Sequence, residues 1–483
     1  MSIEFQLPTL LTLGLFALQV AVAIRAILRP NREPSARTAW VLVILAVPTI
    51  GLIAYMLFGE TNIGQRRLER YRRAVRIVAS RAAEGLRTGD YGQVAPQHRH
   101  LFRLCETING LGPLPGSRGR LLADASATFD ALEADIDAAR DSVHLVFYIW
   151  LDDSAGLRIA GALKRAAARG VTVRAIADDI GSRAFIRSRH WSELRAAGVH
   201  VAAALPVQNI LLHPFRGRID LRNHRKMVVI DNAIAWCGSF NCADPEFRPK
   251  AKYGPWVDEV VRFEGPVAVQ MQCLFIQDWM AHSADDLAPL IAAVPAPVEM
   301  PGIVTQVIGT GPTMRASAMP EVVVELIHAA RRELLVTTPY YVPTDGMHEA
   351  LCTAARRGVR TVLMVPERND SWVVSAASRS YYPDLIAAGV MVFEYPSGLL
   401  HAKILTLDGE VALIGSANLD RRSFELNFEN NLLLQDRDLT ASLAGRQESY
   451  IAASRHIGAA EIAAWSRRRR IWNNAVAMMG PIL

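Results

Sequence analysis

A chain of 483 residues exceeds what one hydrophobic core ordinarily supports, so two or more packed units are expected. The five cysteines, Cys105, Cys237, Cys242, Cys273 and Cys352, are odd in number and lack CxxC or Cys/His ligand spacing, which argues against a disulfide framework and a zinc site. A net charge of +6 and a pI near 9.2 suit anionic partners and leave lipid and nucleic acid equally open.

The amino terminus favours lipid. Residues 7–28 are apolar apart from Arg25, and residues 38–59 carry no charge, each stretch being long enough to cross about 30 Å of hydrocarbon. Two transmembrane helices are predicted over residues 1–60. A cleaved signal peptide fits less well, because the first residues carry Glu4 and no cation. The connection between the stretches is basic (Arg25, Arg29, Arg32, Arg37), and the stretch after them more so (Arg66, Arg67, Arg70, Arg72, Arg73, Arg76). The positive-inside rule therefore favours a multi-pass membrane protein with a cytoplasmic body. A hairpin that enters the membrane without crossing is the alternative.

After a basic connecting region, 61–119, the same events occur twice. IDAAR (136–140) runs into an apolar stretch, and so does IHAAR (327–331). AAARGV (166–171) is matched by AARRGV (354–359), and AAGVHV (196–201) by AAGVMV (387–392). Helices alternating with short apolar strands predict α/β units around a mainly parallel sheet flanked by helices. The halves are expected at 120–287 and 301–455, joined by a linker at 288–300 with three prolines, and followed by a basic tail, 456–483, that suits a membrane surface or its own domain equally.

Each half ends in one constellation. His224, Lys226 and Asp231 precede Ser239 and Asn241, and His401, Lys403 and Asp408 precede Ser416 and Asn418; in both copies the serine lies 15 and the asparagine 17 residues after the histidine. On a strand, histidine and lysine share a face, while the aspartate falls at odd spacing near the strand end. Asp231 and Asp408 are therefore read as structural turn residues. The serines and asparagines are placed to donate hydrogen bonds to the point the histidines face.

Such a set suits an anionic tetrahedral group. Lysines neutralise phosphate oxygens and neutral donors stabilise the charge that develops on transfer. One imidazole attacks phosphorus, and the other protonates the departing alkoxide and then deprotonates the incoming hydroxyl. This is a covalent double displacement on a phosphodiester that asks for no metal and no cofactor. The spacing does not say which histidine is the nucleophile.

Paired HxKxxxxD segments with GSxN downstream resemble the phospholipase D superfamily, and NHRKMVVIDN, WVDEVVRFEGP, TPYYVPTDGM and GLLHAKILTLDGE resemble its bacterial cardiolipin synthases. The resemblance implies two pseudo-twofold-related halves sharing one site, and conversion of two phosphatidylglycerols into cardiolipin and glycerol. By analogy His224 is the nucleophile and His401 the acid and base. It also implies a carboxylate after each GSxN segment that orients the histidine of its half: Glu429 for the second and Asp258 for the first, with Glu259 as alternative.

The remaining histidines read as surface or core residues, and Tyr340 and Tyr341 as packing. Arg218 and Arg222, ahead of the first motif, suit either a lipid headgroup or a solvated strand edge. Competing functions are a phospholipase D hydrolase, a phosphatidylserine synthase and an inactive lipid-binding scaffold. A nuclease is disfavoured because no nucleic-acid module accompanies the membrane segments. A homodimer is compatible with the sequence, which does not demand one.

Overall fold

The computed structural model describes residues 6–29, 34–60, 63–81, 89–207, 218–287, 289–290 and 301–478. All but two residues of the expected linker, and the end of the tail, lie outside these. Helix α1 (Gln6–Leu28) contains an apolar window, Leu10–Leu28, long enough to cross a membrane. The second apolar stretch is not one helix. It divides into α2 (Pro34–Ala46) and α3 (Pro48–Ala54), the latter continued by a π turn, Tyr55–Gly59.

The expected second helix is thus not continuous, and the cause is Pro48. A proline lacks the N–H that a helix interior needs and drives the preceding residue out of the helical region, and Val47 has φ −130° and ψ 79°. The chain then doubles back along α2. Trp40 and Tyr55 meet edge to face with ring centroids 5.4 Å apart, and Gly51 lies so near Val43 that a Cβ there would come within 2.3 Å of its carbonyl oxygen. Glu60, at the far end, accepts from Arg25 at 2.5 Å and pairs with Arg29 at 2.5 Å.

Helix α4 (Gln65–Arg81) connects this anchor to the body, where Tyr71 is buried against Phe428. Strand β1 (Leu114–Leu121) begins within the expected connecting region and joins the first half, which supplies β2 (Ser142–Phe147), β3 (Thr172–Asp178), β4 (His200–Ala204), β5 (Arg222–Asn223), β6 (Met227–Ile230), β7 (Ile234–Gly238), β8 (Trp256–Val257) and β9 (Val260–Glu264). The second supplies β10 (Ile303–Thr310), β11 (Glu333–Thr337), β12 (Tyr341–Val342), β13 (Arg360–Pro366), β14 (Met391–Tyr395), β15 (Leu399–Leu400), β16 (Ile404–Leu407), β17 (Val411–Gly415), β18 (Leu419–Asp420), β19 (Asn427–Gln435) and β20 (Arg455–Ile457).

One sheet runs through both halves in the order β4-β3-β2-β6-β7-β9-β1-β10-β19-β17-β16-β11-β13-β14-β20. Along this order the strands β2-β3-β4 and β11-β13-β14 are parallel and the inner pairs are antiparallel, while β5 adds a short parallel pairing to β19 off the path. The mainly parallel expectation is corrected here, because each motif strand is followed by a tight turn instead of a crossover helix. Those turns hold Asp231 (φ 52°) and Asp408 (φ 54°). The Asp231 carboxylate accepts from the backbone N–H of Arg140, Asp141 and Ser142, and that of Asp408 from Arg331, Arg332 and Glu333.

The halves share a core. Val146, Met227 and Phe263 from one pack with Val307, Ala402 and Leu432 from the other around a nearly wholly buried helix, Val267–His282. Polar side chains on that helix are spent on the fold: Gln270 donates to Gly112 O at 2.6 Å and accepts from Val307 N at 2.8 Å. Asp278 accepts from Asn223 at 2.9 Å and pairs with the fully buried Arg225. Separate outer cores lie under the helices of each half.

Candidate active site

Two short strand pairings between the halves place the histidines. Strand β5 runs parallel to the start of β19, so that His224 N donates to Phe428 O at 2.9 Å. Strand β15 runs parallel to β8, so that His401 N donates to Val257 O at 2.8 Å. The next residue on each facing strand is an acid, Glu429 or Asp258. His224 Nδ1 lies 2.9 Å from Glu429 Oε2, and His401 Nδ1 lies 2.6 Å from Asp258 Oδ1.

The carboxylates therefore cross. Sequence order assigned each acid to the histidine of its own half, and the structure exchanges them. Glu259, the alternative, pairs with Arg446 at 2.6 Å and with the Tyr450 hydroxyl, away from both histidines; burial pushes its carboxyl up to about 7.

The serines are corrected as well. Ser239 Oγ donates to Asp258 Oδ1 at 2.6 Å and accepts from Glu259 N at 3.0 Å, while Ser416 Oγ donates to Glu429 and accepts from Asn430 N at 3.0 Å. A hydroxyl within hydrogen-bond reach of a buried carboxylate is drawn to that charge, so the serines brace the acids instead of facing the open space.

Both histidines line one cavity of about 440 Å³, with Asn241 and Asn418 on its walls. Asn241 Oδ1 accepts from Ile149 N at 3.3 Å, which leaves its NH₂ group for an occupant. Lys226 Nζ donates to His224 O at 2.7 Å and Lys403 Nζ to His401 O at 2.5 Å. Both ammonium groups are buried.

Burial pushes both imidazoles down to about 4; the two lysines add to the effect and the facing carboxylates oppose it. Burial likewise lowers Lys226 to about 8 and Lys403 to about 7. Burial works against the charge on Asp258, but His401, Lys403 and Ser239 hold it below the usual carboxylate range. At neutral pH the result is a neutral imidazole whose Nδ1–H points at a carboxylate and whose Nε2 keeps its lone pair.

The cavity also gathers residues that the motifs did not single out. Tyr148 packs on the His224 ring at 4.8 Å and Trp256 on the His401 ring at 4.5 Å. Arg422, Asn427 and Lys250 reach the wall, Lys250 pairing with Asp370 at 2.6 Å. Asn427 stands two residues before Glu429 as Trp256 stands two before Asp258, so strand alternation from the acids was the signal for both. Arg222 lines the cavity beside Asp178, and Tyr340 does so while donating to Asp370 at 2.6 Å. Arg218 instead meets the anchor, donating to Phe58 O at 2.6 Å. Tyr341 is core. Among the described residues, no group of three or more His, Cys, Asp or Glu side chains is disposed to hold a metal ion.

A family profile described as "Cardiolipin synthase, PLD-like domain" matches residues 132–279 and 323–450, both halves of this site. The chain belongs to the phospholipase D-like cardiolipin synthase family. A second profile, "Phospholipase_D-nuclease N-terminal", matches residues 17–60. Curated members include cardiolipin synthase A of Pectobacterium carotovorum subsp. carotovorum (strain PC1), 37% identical over 98% of each chain. Cardiolipin synthase A of Klebsiella pneumoniae (strain 342) is 38% identical over 97% of this chain and 96% of the relative. Among solved structures, phosphatidylserine synthase from Haemophilus influenzae Rd KW20 shares the fold at TM-score 0.58 and 15% identity, covering 79% of this chain and all of that one.

Proposed function

We propose that the protein is a membrane-anchored phosphatidyltransferase that joins two phosphatidylglycerols into cardiolipin and releases glycerol. The observation that carries this is the pair of imidazoles, each held through Nδ1 by an acid from the opposite half and both opening on one cavity. His224 is the nucleophile. Its Nε2 attacks phosphorus, the bond to the glycerol oxygen breaks, and His401, carrying a proton on Nε2, gives that proton to the leaving alkoxide.

The hydroxyl of a second phosphatidylglycerol then loses its proton to His401 and attacks the phosphatidyl-histidine. The N–P bond breaks and both imidazoles return to their starting states. In the empty site both are neutral; the bound phosphodiester supplies the negative charge that lets one of them hold the proton. Lys226 and Lys403 balance the phosphoryl charge, and the amides of Asn241 and Asn418 donate to its oxygens. Each step uses side chains present in the chain, with no metal ion and no cofactor.

The two halves, 120–287 and 301–455, relate by a pseudo-twofold axis through the cavity, a reading supported by the matching strand orders on either side of the β1–β10 pair. The body lies on the cytoplasmic face, in keeping with the arginines of α4. The deciding experiment incubates the purified, solubilised chain with phosphatidylglycerol alone in excess EDTA and identifies products by mass spectrometry. Cardiolipin with released glycerol is expected. Phosphatidic acid would make the enzyme a hydrolase, and activity that returns only with added metal would remove the metal-free mechanism.

A further inference from the structure

Residues 34–59 have the hydropathy of a transmembrane helix and the geometry of something else. As one straight helix, 26 residues would extend roughly 39 Å and carry Glu60 to the opposite membrane face from Arg29. Instead Glu60 meets both arginines at the end of α1: Arg25 Nε at 2.5 Å and Nη2 at 2.9 Å, and Arg29 Nη1 at 2.5 Å. The entry to α2 and the exit of the π turn are thus at one level, that of the end of α1.

The turn at Val47 and Pro48 is the tip. From there α2 spans 13 residues, about 20 Å, short of the roughly 30 Å of hydrocarbon. The limbs are matched to each other by the Gly51 approach to Val43 and the Trp40–Tyr55 contact, and tied to α1 by Gln19, which donates to Ile44 O at 2.8 Å. Leu42, Leu45, Ile50, Ile53 and Met56 are left exposed on the outside, an apolar surface that hydrocarbon would cover.

We infer that residues 34–59 form a re-entrant hairpin inserted from the side of the catalytic body, so that α1 alone crosses the membrane. This arrangement also removes a conflict in the charge pattern. With two complete spans, the arginines at 25, 29, 32 and 37 oppose those from 66 to 76 across the bilayer; with a hairpin, both clusters lie on one side and the positive-inside rule is met by all of them. It further fixes the amino terminus on the side away from the body.

Cysteine labelling tests the assignment directly, since the five native cysteines are buried and the unsubstituted chain measures any background. Full-length Ser2→Cys, Ser35→Cys and Ser442→Cys variants, each first checked for cardiolipin formation, are treated with a membrane-impermeant maleimide in spheroplasts and in inverted vesicles. Ser35→Cys and Ser442→Cys are expected to react from one side and Ser2→Cys from the other. Val47→Cys should stay unreactive until detergent is added. Labelling of positions 35 and 442 from opposite sides would establish two complete spans and overturn the hairpin, as would labelling of position 47 from the side opposite the body. Labelling of positions 2 and 442 from the same side would remove the crossing by α1. The readout is sidedness and not turnover, so it stands or fails independently of the transfer reaction.

Discussion

Glu429 closes on Nδ1 of His224, 205 residues earlier in the chain and in the other half of the molecule, at 2.9 Å. Asp258 closes on His401 in the same way at 2.6 Å. Neither half supplies both members of either active-site pair, so the tautomer of His224 and of His401 depends on the other half being folded against it.

The crossing dictates which variants should behave alike. Glu429→Gln should reproduce the defect of a His224 variant, and Asp258→Asn that of a His401 variant. With a phosphatidyl ester of p-nitrophenol, whose leaving group needs no acid, Asp258→Asn should give a burst of p-nitrophenol and then stall. Glu429→Gln should give no burst and a kcat lowered about 10³- to 10⁴-fold, the scale of a misoriented imidazole. Stopped-flow absorbance separates the two, and the reverse assignment would exchange the histidines' roles.

The buried lysines set an alkaline limit. An ammonium group is charged below its pKa, so the site loses positive charge as pH rises through about 7 for Lys403 and about 8 for Lys226. The kcat/KM for phosphatidylglycerol, which reports the free enzyme, should fall across that interval. The corresponding limb in kcat should lie higher, because a bound phosphodiester favours the charged lysines. Initial rates from pH 6 to 10 in mixed micelles measure both.

Acid should destabilise the fold through its neutral histidines. His144 is stacked on Phe275 at 4.6 Å, bonded to Gln272 and approached by Arg174 at 3.2 Å, and burial lowers it to about 4. Its folded pKa lies below its unfolded value, so below about 6.5 the unfolded chain takes a proton that the folded chain refuses. Stability is therefore lost as pH falls from about 6.5 towards 4, by roughly 2 kcal/mol at pH 5 for one such group. Urea unfolding in detergent should show this slope, and His144→Gln should reduce it by about one proton.

Asp231 and Asp408 should matter to folding and little to chemistry. Replacing either with alanine removes three charge-assisted hydrogen bonds from backbone N–H groups and leaves a non-glycine residue without polar compensation at positive φ. A loss of about 2–4 kcal/mol is expected, with kcat per folded molecule nearly unchanged. Asparagine should fall between, since it tolerates the left-handed region and keeps one acceptor oxygen. Denaturant midpoints beside active-site titration distinguish stability from rate.

The paired motifs were legible because their chemistry sits within a few residues and recurs at one spacing. The exchange of acids was not, since His224 and Glu429 meet only through the β5–β19 pairing, a contact between halves that no local pattern records. The serines were misread for a related reason: Ser239 reads as a donor to substrate until Asp258 is known to lie 2.6 Å away. The inner sheet was misassigned because alternation of helix and strand describes β2 to β4 and β11 to β14, and the hairpins between them carry no helix. Hydropathy reads residues 38–59 as one continuous helix because an average over apolar residues does not weigh Pro48, whose effect is on the backbone.

Strand β1 pairs with β10 across the boundary between the halves, and the β5–β19 and β8–β15 pairings stitch them twice more beside the histidines. Jaw-like opening would tear backbone ladders as well as the shared core. These ladders act as a fixed die that sets the spacing of the two imidazoles. Outside those ladders, wall side chains such as Arg422 and Lys250 keep nearly half of their surface exposed, at 45% and 46%.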